Sequence, residues 1–146
     1  VSLRIAVVSM VAGGLVTAGL PFLVWYAIDT PAGLLTATGV QATPELWSLV
    51  ALGALIALVG VAVGAGRGGG TLVLVVVGAS GVAVGWALEN ALNVPVGLLV
   101  TEPGGTPGRL ANDLVRVDVQ PAAYLAAAAA AIAGMAALLR RLEEIS

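Results

Sequence analysis

This chain of 146 residues is 60% hydrophobic and 10% charged, with a mean hydropathy of +1.07, whereas a soluble domain carries about 25% charged residues. Cysteine, histidine and lysine are all absent, which excludes disulfides, Cys/His zinc sites, thiol nucleophiles, Schiff-base lysines and Ser-His-Asp triads. The net charge of −2, without a basic block, leaves no nucleic-acid footprint.

Uncharged runs cover residues 5–28, 46–66, 68–88 and 119–139. Each reaches the ~20 residues that a helix rising ~1.5 Å per residue needs to cross ~30 Å of hydrocarbon. The first run is too long for the apolar part of a signal peptide. It ends in Pro21 and the bulky Phe22-Leu23-Val24-Trp25-Tyr26 instead of small residues, so it reads as a retained helix that Pro21 bends. Val1 fits a GTG start and a trimmed N-terminus equally well.

The first outer loop, 29–45, contains a weakly alternating stretch, Leu35 to Val40, that reads as a short strand. Thr43-Pro44-Glu45 then offers a capping hydroxyl, an N1 proline and an acid to start the second helix. Gly64-Ala65-Gly66-Arg67-Gly68-Gly69 has the glycine spacing of a dinucleotide fingerprint. It joins two spans instead of a strand and a helix, so a flexible turn is expected. The second outer loop, 89–118, begins with an apolar stretch, 94–100, too short to span and read as a strand or an interfacial segment. Residues 114–120 alternate, with Val115, Val117 and Val119 on one face and Arg116, Asp118 and Gln120 on the other: a second strand. Pro121 takes the N1 position of the last helix. In the tail, Arg140 and Arg141 lie three and four residues before Glu143 and Glu144, a spacing that extends that helix.

Arginine distribution sets an orientation. Arg4, Arg67, Arg140 and Arg141 flank the spans on one side, against Arg109 and Arg116 on the other, so both termini are expected in the cytoplasm. With alternating helix direction, Trp25, Tyr26, Trp47, Trp86 and Tyr124 all fall at the outer boundary, where amphipathic rings prefer the headgroup level.

Glycines recur at helical spacing. Gly60 and Gly64 form one G-x-x-x-G, Gly81 and Gly85 another that Gly78 widens, and Gly53 lies at the depth of the second. Gly lets backbones approach where lipid supplies no hydrophobic drive for association, so all six are predicted helix contacts. A glycine-rich composition without a specific face is the competing reading. Glu89, Asn90 and Asn93 form a possible polar site, since a membrane carboxylate is a functional candidate by default. Trp86, one turn earlier, favours instead a hydrated helix end paired with Arg109 or Arg116. Arg109, Asp113, Arg116 and Asp118 read as a solvated network. Val115, Val117 and Val119 are expected to pack onto the bundle's outer end near Trp47 and Trp86. Strand 114–120 should then pair with 35–40, with 94–100, or with both.

A first span ending at Trp25, an outer loop ending Thr36-Ala37-Thr38-Gly39, a second span opening Pro44-Glu45-Leu46-Trp47-Ser48-Leu49, and a longer loop before the last span make a pattern. It resembles the actinobacterial tryptophan-biosynthesis-associated membrane proteins, a family whose likeness implies four spans and assigns no catalytic residue. Acidic outer loops and a short cytoplasmic tail depart from it. Claudin-like proteins share the architecture, but their Gly-Leu-Trp and paired-cysteine signature is missing.

The expected fold is therefore an all-α membrane protein. It is one domain, 1–146, built as a four-transmembrane-helix bundle with both termini inside and a small extracytoplasmic β element. The arginine-only, Ala/Val/Gly-rich composition points to the plasma membrane of a prokaryote with a GC-rich genome. Expected partners are the lipid bilayer and another membrane protein or a second copy, with no cofactor, metal or catalytic residue. A non-enzymatic accessory or scaffolding subunit is the expected role, and a small transporter or channel using Glu89 and Asn93 the alternative.

Overall fold

The computed structural model describes residues 2–30, 33–43, 45–67, 69–93 and 116–145. Five helices and three strands follow in the order α1 (Leu3–Gly19), β1 (Val24–Thr30), β2 (Gly33–Thr38), α2 (Gly39–Ala42), α3 (Leu46–Gly64), α4 (Gly70–Leu92), β3 (Arg116–Val119) and α5 (Pro121–Ile145). A single 3₁₀ turn, Leu20–Phe22, links α1 to β1. Among the described residues, four segments are long and apolar enough to cross a membrane: α1 with its 3₁₀ turn, α3, α4 and α5.

The first span is shorter than the uncharged run 5–28 predicts. Pro21 has no N–H to offer the carbonyl four residues back, and its ring crowds that turn, so the helix ends where a bend was expected. Val24 to Ile28, read as membrane helix from their hydropathy, form most of β1 instead. Their valine, isoleucine and aromatic residues suit a pleated surface as well as a lipid one.

The four long helices pack in a ring: α1 against α3 and α5, and α4 against α3 and α5. Glycine contacts show how α1 and α3 run antiparallel. A Cβ on Gly14 would meet the Gly53 carbonyl oxygen and the Ala57 nitrogen at 2.6 Å, and one on Gly53 would strike the Ala18 backbone. Toward the other end Gly60 lies on Met10 and Val11, and Gly64 on Val7. The backbones touch because no side chain separates them.

Gly53, Gly60 and Gly64 thus face α1, whereas the expected partner of Gly53 was α4. Gly78, Gly81 and Gly85 make no such contact: they are exposed, and a Cβ on any of them would meet nothing within 4 Å. The prediction that these three are helix contacts is corrected. The inward face of α4 carries Val73, Val76, Ser80, Ala83 and Ala87, and the glycine stripe lies on the opposite side of the helix. Helix α5 has the same inside-out design, burying Ala123, Ala126, Ala130 and Ala133 while Leu125, Ile132 and Met135 face outward.

At one end of the bundle α3 closes with a Schellman arrangement. Arg67 N–H donates to the Ala62 carbonyl and Gly66 N–H to that of Val63, with Gly66 at φ +75°. The glycine-rich segment is a defined helix stop, and Gly68 itself lies outside the described residues. At the same end Arg140 and Arg141 reach Glu144 at 3.4 and 3.6 Å, and the Arg141 guanidinium lies over Gly70 at the start of α4.

Candidate interaction site at the sheet end

The opposite end carries a three-stranded antiparallel sheet in the order β2-β1-β3. The two strands expected from alternation are present, as Gly33–Thr38 and Arg116–Val119, and residues 39–40 belong to the short helix α2. Of the partners expected for 114–120, the stretch 35–40 is corrected. β1, the segment assigned to the membrane, stands between them and supplies the backbone partners of both. The segment 94–100 lies outside the described residues, as does Val115.

Register explains how β1 is seated. Val24 pairs with Thr38 and Tyr26 with Ala37, so Trp25 is an extra residue, a β-bulge. Successive strand residues normally face opposite sides. Here the bulge re-aims the chain, and Trp25 and Tyr26 are both fully buried. The bulged carbonyl is not wasted, because it accepts the Gln120 N–H at 2.7 Å.

Each aromatic ring then caps a helix. Trp25 Nε1 donates to the Leu20 carbonyl at 2.8 Å, and the Tyr26 hydroxyl donates to the Asn90 backbone carbonyl at 2.6 Å. The last four carbonyls of a helix have no intrahelical donor. These two side chains supply donors at the ends of the first and third spans while filling the core beside Leu46, Leu49, Ala87 and Ala123. Burial removes the Tyr26 phenol from water and pushes its pKa from the ordinary 10.0 up to about 12. Trp25 and Tyr26 do lie at the expected end, but inside the protein and not at a headgroup belt. Phe22, Trp47 and Tyr124 are exposed rings there, with Phe22 edge-on to Trp47 at 5.4 Å between centroids.

The predicted polar trio separates. Asn90 is buried, and its Nδ2 donates to the Trp86 carbonyl at 2.9 Å, a structural role tied to the Tyr26 contact. Glu89 is exposed, and exposed Asn93 closes α4 with its N–H on the Glu89 carbonyl at 2.7 Å. Expected pairings of Glu89 with Arg109 or Arg116, and within the loop network, involve side chains outside the described residues. Among the described residues no three metal-ligating side chains come together. Glu89→Gln is expected to change stability by less than ~0.5 kcal/mol, as for other surface substitutions; thermal unfolding of the purified variant in detergent checks it.

Val117 and Val119 are half-buried against the Trp25, Tyr26 and Ile28 cluster, and Asp118 points outward, so the expected alternation holds with a different floor. β2 behaves otherwise. Leu34 is 68% and Leu35 50% exposed. Adjacent strand residues point to opposite faces, so the strand stands clear of the bundle on both sides there. Nothing in periodicity distinguishes this projecting strand from one lying flat. No protein-family model, curated protein or solved structure matches this chain.

Proposed function

We propose that the chain is a non-enzymatic, multi-pass plasma-membrane protein that serves as a small accessory or scaffolding subunit, contacting a membrane-protein partner or a second copy through its spans and its sheet end. The observation that carries this reading is the projecting strand β2 with Leu34 and Leu35 exposed on both faces. An apolar strand standing in water is a site for strand addition or side-chain docking.

The interior supports the same reading. Apolar side chains fill it, and the buried hydroxyls of the spans are isolated: Thr17 donates to the Gly13 carbonyl, and Ser80 packs against Gly134. A conduction path needs a connected polar lining. Native mass spectrometry of the gently solubilised complex tests the proposal: a stoichiometric assembly is expected, and a strictly monomeric chain would overturn it.

In this reading the arginine bias puts both termini on the cytoplasmic side, with the sheet outside. Single cysteines at Gly68 and Ser146 should resist an impermeant maleimide in intact cells, and one at Gly105 should react. Labelling at Gly68 would reverse the topology.

A further inference from the structure

At the arginine end a groove of about 390 Å³ runs between α1 and α3, lined by Leu3, Arg4, Val7, Val8 and Gly64. Its wall is aliphatic, and the bare backbone of Gly64 leaves room that a larger residue would fill, since a Cβ there would already touch Val7 at 2.9 Å. Arg4 is its one charged lining residue, and exposed Arg67 follows three residues after Gly64.

The four arginines of this end are not equivalent. Arg140 and Arg141 are held by Glu144. Arg4 and Arg67 have no carboxylate partner among the described residues; Arg4 lines the groove, and Arg67 follows α3 three residues beyond its Gly64 wall. Grooves between α4 and α5 and between α1 and α5, of about 290 and 320 Å³, are lined without any charged side chain. They offer an acyl chain no means of fixing its head.

We propose that the α1–α3 groove binds an anionic phospholipid, with one acyl chain along Leu3, Val7, Val8 and Gly64 and the headgroup phosphate on Arg4 and Arg67. The charge pattern selects this occupant: an apolar trough lined by the unneutralised Arg4, with Arg67 just past the end of α3, complements an amphiphile with a negative head. Guanidinium matches phosphate oxygens through paired N–H donors, and a long arginine stem reaches the headgroup level from a buried backbone position. Basic pockets between spans on the cytoplasmic side are favourable for such heads. The inference rests on the reading that these helices span a bilayer.

The test uses the full chain in detergent micelles, titrated with phosphatidylglycerol, phosphatidylcholine and soluble glycerol phosphate, and read by native mass spectrometry. Phosphatidylglycerol is expected to bind roughly thirtyfold more tightly than phosphatidylcholine, given the typical contribution of two interfacial arginines. The Arg4→Gln/Arg67→Gln variant should remove that preference. Val8→Trp, at an exposed position, should weaken both lipids by blocking the trough. Undiminished preference in the arginine variant, or glycerol phosphate binding as tightly as phosphatidylglycerol, would overturn the proposal. Alkaline carbonate extraction of expression membranes separates the two readings. A chain that is extracted fails the spanning assignment, whereas an inserted chain without lipid preference fails only this one.

Discussion

Gly53→Leu is expected to destabilise the bundle by ~3 kcal/mol or more, at the upper end of the range for overpacking. The reason is what surrounds the site. The new Cβ would collide with the Ala18 backbone and with the Gly14 carbonyl oxygen at 2.6 Å. Neither neighbour is a side chain that can rotate away, so α1 and α3 must separate, and the contacts at Gly60 and Gly64 loosen with them. Gly81→Leu is the matched control. It lies on the exposed face of α4 with open space around it and should change stability by less than ~0.5 kcal/mol. Unfolding of both variants in mixed micelles checks the pair. Equal damage from the two substitutions would contradict the packing described for α4.

Trp25→Ala should cost ~3–5 kcal/mol, the range for emptying a fully buried aromatic position. It also strips one of the two donors from the Leu20 carbonyl at the end of the first span, leaving the Leu23 N–H at 2.9 Å. Tyr26→Phe keeps the ring and removes only the hydroxyl, leaving the Asn90 carbonyl without its 2.6 Å partner; a loss of ~1–2 kcal/mol follows from an unsatisfied buried acceptor. Tyr26 also predicts an alkaline signature. Its folded pKa of about 12 exceeds the ordinary 10.0, so its contribution is complete below pH 10. Above that the unfolded chain ionises first, and stability falls as pH rises toward 12. Tyr26→Phe should flatten this part of the profile. An unchanged profile would mean that the phenol is not held neutral by burial.

Asn90 illustrates what residue type reveals without neighbours. A polar residue near a predicted helix end reads as part of a hydrated or functional group with Glu89 and Asn93. The fold instead buries it and uses its backbone carbonyl as the acceptor for a tyrosine 64 positions away in sequence. The bulge at Trp25 is equally hidden, because a bulge is defined only against a partner strand. A local signal for β1 did exist: Pro21 followed by Val24-Trp25-Tyr26-Ala27-Ile28 is a helix stop before a β-favouring run. Uniform hydropathy across 5–28 concealed it.

The sequence by itself determined the four apolar segments, since lipid-compatible length and the absence of charge are local properties. It also determined the presence of β2 and β3, the alternation of β3, the helix start at Pro121 and the Arg–Glu pairs of the tail, which depend on neighbours within a few residues. Only the tertiary structure decided which face of each span is inside. In a water-soluble helix the polar stripe marks the outside; here both faces are apolar, so Gly53 and Gly81 look alike in the sequence and differ completely in the fold. Tertiary structure likewise placed β1 at the centre of the sheet, because the exposed backbone beyond Pro21 finds its hydrogen-bond partners in strands that lie later in the chain.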